Sequence, residues 1–83
     1  MTYDNRAIGE AVRKLRKLRN LSQEVFSGLA CIARSHLAMI ENGAKQPNLE
    51  TIWKIANAAD IRPSELVRLI EDEAEALQRT EKS

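Results

Sequence analysis

The chain has 83 residues, of which 43% are hydrophobic and 30% charged, and its formal net charge is +1. That length gives one small domain, for which a partner subunit would add stability, and the composition excludes a disordered tail. No apolar run reaches the roughly 20 residues that cross a bilayer, the opening Met-Thr-Tyr-Asp-Asn lacks the layout of a secretory signal, and a lone cysteine excludes an internal disulfide framework and suits a reducing cytoplasm.

All periodicity in the sequence is helical, so the predicted fold class is all-α, with five helices. Helix 1 is expected from Asp4 or Asn5 to Arg19, with an apolar stripe of Ile8, Ala11, Val12, Leu15 and Leu18 and with Arg13, Lys14, Lys17 and Arg19 projecting elsewhere. Ser22 reads as the N-cap of helix 2, about Gln23 to Ala30, whose buried face is expected to be Val25, Phe26, Leu29 and Ala30. A connection of about three residues around Cys31 is too short for an antiparallel hairpin and predicts a sharp crossing. Helix 3, about Arg34 to Glu41, is anchored by Ile32, Leu37 and Ile40 and stopped by Gly43.

The loop from Asn42 to Asn48 is punctuated by Gly43 and Pro47, and Asn48 caps helix 4, which is expected to bury Leu49, Ile52, Ile55, Ala56 and Ala59. Asp60 and Ile61 form the next connection. Pro63 opens helix 5, predicted to run to about Gln78 with the last five residues frayed. Leu66, Leu69 and Ile70 can face the core, whereas Val67, Ile70, Ala74 and Leu77 form a partly separate stripe that would stay wet in a monomer. That stripe is either a dimer seam or part of a long amphipathic helix lying wholly on its own domain. Trp53, the single tryptophan, belongs to the same seam or to the edge of the core, and Cys31 is expected as a small buried thiol.

Three stretches, Leu21-Ser22-Gln23-Glu24, Ile40-Glu41-Asn42-Gly43 and Pro47-Asn48-Leu49-Glu50-Thr51, stand in the order and spacing of the phage-repressor (lambda repressor and Cro-like) helix-turn-helix family. Residues 8 to 67 resemble that family, and in size and layout the chain is similar to the small controller proteins of restriction–modification systems. The resemblance implies a five-helix lambda-repressor-like domain over residues 1–83, with helices 2 and 3 as the helix-turn-helix and helix 5, about 63–78, contributing to dimerisation. It also implies double-stranded DNA as partner. The charge distribution agrees: residues 1–45 carry eight Lys or Arg against four acids, and residues 46–83 five against eight.

By position in the family, Ala33, Arg34, Ser35 and Met39 approach base edges, with His36 and Ala38 alongside. Arg34 can bond bidentately to guanine, Ser35 can serve several base edges or a phosphate, and Ala33 and Met39 offer apolar surface to a thymine methyl. His36 is either a DNA donor or an ordinary surface polar group. Ser22 and Gln23 open helix 2, where free N–H groups and the helix dipole favour a phosphate. Asn42, Lys45 and Gln46 occupy matching or nearby loop positions on the phosphate side, and Arg13, Lys17 and Arg19 are weaker candidates. The resemblance further implies a structural ion pair between Arg16 and Glu41. The wet stripe of helix 5 assigns Val67, Ile70, Ala74 and Leu77, together with Trp53, to a dimer interface.

The sequence departs from the family at Cys31, where a glycine is usual, at Gly28 inside helix 2, and at Ala33, which replaces a Ser or Thr cap. The expected function is a homodimeric transcriptional regulator on a palindromic operator, a restriction–modification controller or a repressor. The alternative is an antitoxin-like interaction module that sequesters a partner protein and binds DNA secondarily. An enzyme is not expected, because one histidine and one cysteine without clustered ligands supply neither a nucleophile–base pair nor a metal site. No cofactor, metal, membrane or small-molecule ligand is expected.

Overall fold

A computed structural model describes residues 3–82 as five α-helices: α1 Asn5–Leu18, α2 Gln23–Ala30, α3 Arg34–Glu41, α4 Leu49–Ala58 and α5 Pro63–Lys82. Met1, Thr2 and Ser83 lie outside the described residues, and with them the first two residues of the opening Met-Thr-Tyr-Asp-Asn stretch and the last residue of the expected frayed end.

Short polar side chains start three of the helices by accepting a bond from an orphan backbone N–H. The Asp4 carboxylate accepts from the Arg6 N–H at 2.8 Å, the Ser22 hydroxyl oxygen from Val25 at 3.1 Å, and the Asn48 side-chain oxygen from Thr51 at 2.8 Å. Asp4 also binds the Arg6 guanidinium, and these bonds, the side-chain one first, hold its carboxyl below the usual aspartate range. At α3 the cap is Ala33, which has no side chain to offer. Pro63 opens α5, where the Glu65 carboxylate reaches back to the Arg62 N–H.

Four helix ends use one device, a residue in the left-handed region followed by a residue whose N–H bonds to a carbonyl five positions back. The turning residues are Asn20, Cys31, Gly43 and Asp60, with φ of 57°, 58°, 75° and 58°. The closing bonds run from Leu21 to Arg16, Ile32 to Ser27, Ala44 to Met39 and Ile61 to Ala56, at 2.9–3.2 Å. Asn and Asp tolerate this conformation; Cys31 does so at a cost of roughly 1–2 kcal/mol.

The largest fully buried side chains are Val12, Phe26, Leu37, Ile40, Ile55 and Leu66, so every helix contributes to one core. α1 packs against α3 and α5, α2 against α3 and α4, and α4 against α5.

Several expectations are corrected. In α2 the buried face is Phe26, Ser27 and Ala30, and Val25 and Leu29 are exposed; the whole helix is turned by about one residue. Ser27 is tolerated inside because its hydroxyl donates to the Glu24 carbonyl at 3.0 Å. Leu18 and Leu49, at the ends of their helices, point past the core into solvent, and Leu69 is also exposed. Cys31 is exposed rather than buried, because the left-handed turn carries it outward. α5 continues to Lys82, beyond Gln78, since no Gly or Pro interrupts it, and Glu75–Arg79 and Thr80–Ala76 contacts one turn apart support its last turns. Along α5 the stripe is open only in part. Ala74 is buried against its own domain and Ile70 packs on the core, because α5 lies along α1; Leu77 is half-buried and Val67 exposed.

Candidate nucleic-acid interface

α3 is a rod of two turns with sharply different sides. Leu37, Ile40 and Glu41 are buried on the inner side, while Ala33, Arg34, Ser35 and Met39 are exposed and His36 and Ala38 are half-buried. The left-handed Cys31 produces the crossing, and Ile32 packs onto the core directly after it, fixing the angle at which α3 leaves α2.

What holds α3 in place is a polar junction with α1. Glu41, with its side chain only 1% exposed, receives the Arg16 guanidinium through Nε at 2.8 Å and Nη2 at 2.9 Å. The third arm of the same guanidinium, Nη1, donates to the Leu21 carbonyl at 2.9 Å, so Arg16 ties α1, the α1–α2 connection and the end of α3 together. The pKa of Arg16 is raised further, chiefly by the hydrogen bond to Glu41, so its guanidinium stays charged at any ordinary pH. Gln23, at the first turn of α2, donates one amide N–H to the Glu41 carboxylate at 3.1 Å. The side-chain amide retains its second N–H for an outside acceptor.

Two further contributors to this junction were not flagged by sequence reasoning. Gly9 lets the helices touch: a Cβ there would stand 2.5 Å from the Glu41 carbonyl oxygen and 2.8 Å from that of Ile40. Arg13 donates to the same Glu41 carbonyl at 3.1 Å and to Glu10 at 3.1 Å, placing a cation at the negative end of α3 instead of in open solvent. A mid-helix glycine and one arginine among several give no local sign of which helix will cross them.

The phosphate-side candidates frame this rod. Ser22 is exposed at the N-terminus of α2 with its oxygen spent on the cap. Asn42, Lys45 and Gln46 are exposed in the loop after α3, and the Ala44 and Lys45 N–H groups both donate to the Met39 carbonyl, folding the loop back on the helix. Lys17 and Arg19 are exposed near the end of α1. Among the dimer candidates, Trp53 is 50% and Val67 42% exposed. Among the described residues no group of His, Cys, Asp and Glu could hold a metal ion, and no helix is long and apolar enough to cross a membrane.

A family model described as helix-turn-helix matches residues 12–66. The immunity repressor protein of Bacillus phage phi105 is 35% identical over 60 residues, covering 72% of this chain and 42% of its own length. The control protein C.MunI of a Mycoplasma species is 38% identical over 66 residues, covering 78% of this chain and 89% of that one. Among solved structures, the restriction-modification controller protein C.AhdI from Aeromonas hydrophila superposes with a TM-score of 0.72 at 37% identity, over 75% of this chain and 94% of that one. This chain thus spans less than half of the phage repressor but nearly all of each controller protein. The fold, the matched span and these likenesses together show that the chain belongs to the helix-turn-helix family.

Proposed function

We propose that the chain is a transcriptional regulator that binds double-stranded DNA as a homodimer on a palindromic operator, as a restriction–modification controller or a repressor in the cytoplasm. The observation that carries this reading is the two-sided α3. Arg34, Ser35 and Met39 stand outside a helix whose inner side is clamped by Leu37, Ile40 and the Glu41 network.

Such a rod presents its first turn to the major groove, where Arg34 takes guanine O6 and N7 and discriminates by about 1–3 kcal/mol. Ser35 bonds a neighbouring base edge, Ala33 and Met39 meet thymine methyls, and His36 sits at the margin. Ser22 and Gln23 hold one phosphate at the α2 N-terminus. Asn42, Lys45 and Gln46 hold the opposite run. Two copies read two half-sites about 34 Å apart. Control then acts through protein concentration, with no cofactor.

Selection of duplexes from a random pool by the purified protein, at two salt concentrations, tests the reading. A symmetric site with one half-site spacing, bound far more weakly at the higher salt, is expected. Recovery of sequences without enrichment would overturn it. The exposed apolar side chains of α4 and α5 favour a second reading, an antitoxin-like chain that sequesters a partner protein; that chain would give weak or no enrichment in the same selection.

A further inference from the structure

An apolar groove of about 390 Å³ opens between the start of α1, the loop before α4, and helices α4 and α5. Ile8, Pro47, Ile52 and Ile70 wall it, and Leu49 and Val67, 67% and 42% exposed, form its lip. One turn beyond Leu49 on the same face of α4 stands Trp53, half exposed and outside the groove of its own chain. We propose that this groove receives Trp53 of a second copy, so that two chains pair by exchanging tryptophans. The proposal rests on the homodimer reading and specifies how that dimer is made.

Symmetry supplies the first argument. An isologous pair needs a surface that is its own complement, with each contact made twice. A knob beside a hole meets that condition: a two-fold axis midway between them sets each Trp53 at the other groove and brings Leu49, which lies between the two, to its own counterpart. The large apolar side chains left in solvent on this face are then covered in one step.

Chemistry supplies the second. A buried indole needs a hydrogen-bond acceptor for its N–H while its rings want apolar walls. The groove is lined mostly by apolar residues, and Gln46 and Glu71 line it too, each with a side-chain oxygen that can accept. Charge supplies the third. Of the groove's charged lining residues, Asp4 and Glu71, the first is paired with Arg6 at 2.7 Å, and Glu50, next to Leu49, pairs with Lys54 at 3.2 Å. Charges neutralised within the chain suit a second copy better than a strongly acidic or basic partner. The groove is bounded by α1, α4 and α5, whereas α3 packs against α1 and α2, so pairing leaves the outer side of α3 open.

Because Trp53 is the only tryptophan, its emission reports on the groove directly. The test follows emission and sedimentation of the full chain over a wide concentration range. Expected is a blue shift whose midpoint coincides with the doubling of mass, both lost in Val67→Glu, and dimerisation weakened at least ten-fold in Trp53→Ala. Both sites are exposed, and circular dichroism checks that each variant retains its helices. A dimer whose emission does not move, and which Trp53→Ala forms as readily, would overturn the exchange and leave the homodimer standing. A monomer at every concentration would overturn both. If that monomer bound the apolar dye anilinonaphthalene sulfonate in a Val67→Glu-sensitive way, the groove would belong to a small apolar ligand instead.

Discussion

At the α1–α3 junction, one buried carboxylate gathers Arg16 and Gln23, Arg13 closes the helix end, and Gly9 removes the side chain that would keep the helices apart. On the α4–α5 face, Leu49, Trp53 and Val67 project over a groove lined by aliphatic side chains. The first region is directional: its bonds fix the angle and register of α3. The second is non-directional, with apolar area available to whatever can cover it. A reading head has to be rigid before it meets a duplex, since ordering it on contact would cost affinity. An association surface gains from the opposite arrangement, because its stabilisation is realised only on pairing.

The sharpest way to break this contrast is at Glu41. Glu41→Ala strands the Arg16 guanidinium in a nearly closed site, and a loss of about 3–5 kcal/mol is expected in urea unfolding followed by circular dichroism. An unchanged midpoint would mean the junction is solvated and the contrast false. Next is Gly9→Ala, expected to cost about 1–3 kcal/mol, towards the upper end because the obstructing atoms are backbone. Its control is Gly28→Ala, where nothing lies within 4 Å of the new Cβ and a gain of about 0.5–1 kcal/mol is expected from helix propensity alone. Equal effects at the two glycines would refute the close crossing. The smallest of the junction-side effects is at Cys31→Gly, which relieves the left-handed strain and is expected to raise stability by about 1 kcal/mol in thermal unfolding; a loss there would show the turn to be unstrained.

The sequence declares its helices well because its punctuation is chemical and local. Ser22, Asn48, Gly43 and Pro63 each satisfy or forbid a specific backbone group, and α2, α4 and α5 begin and α3 ends where those residues place them. The outer side of α3 is equally legible, since Leu37 and Ile40 at helical spacing fix which residues remain outside. α2 is harder to read because Val25, Phe26, Leu29 and Ala30 offer two overlapping apolar faces, and only the position of α4 selects Phe26 and Ala30. Leu18 and Leu49 fit their stripes by periodicity but sit at helix ends that overshoot the core. Ala74 looks like part of a wet stripe and is covered because α5 lies along α1. Gly9 and Arg13 belong to the same class of information: their roles depend on what another helix does 28 or more residues away.

The most direct test of the central claim, that the outer side of α3 reads sequence while its surroundings grip phosphate, compares Arg34→Ala with Lys45→Ala on a selected duplex and on its single-base variants. For Arg34→Ala the expected result is a loss of about 1–3 kcal/mol confined to one base pair of each half-site, with discrimination there relaxed. For Lys45→Ala all duplexes should weaken alike, with a shallower dependence on salt. The reverse pattern, or two variants that leave every affinity unchanged, would contradict the placement of α3 in the groove.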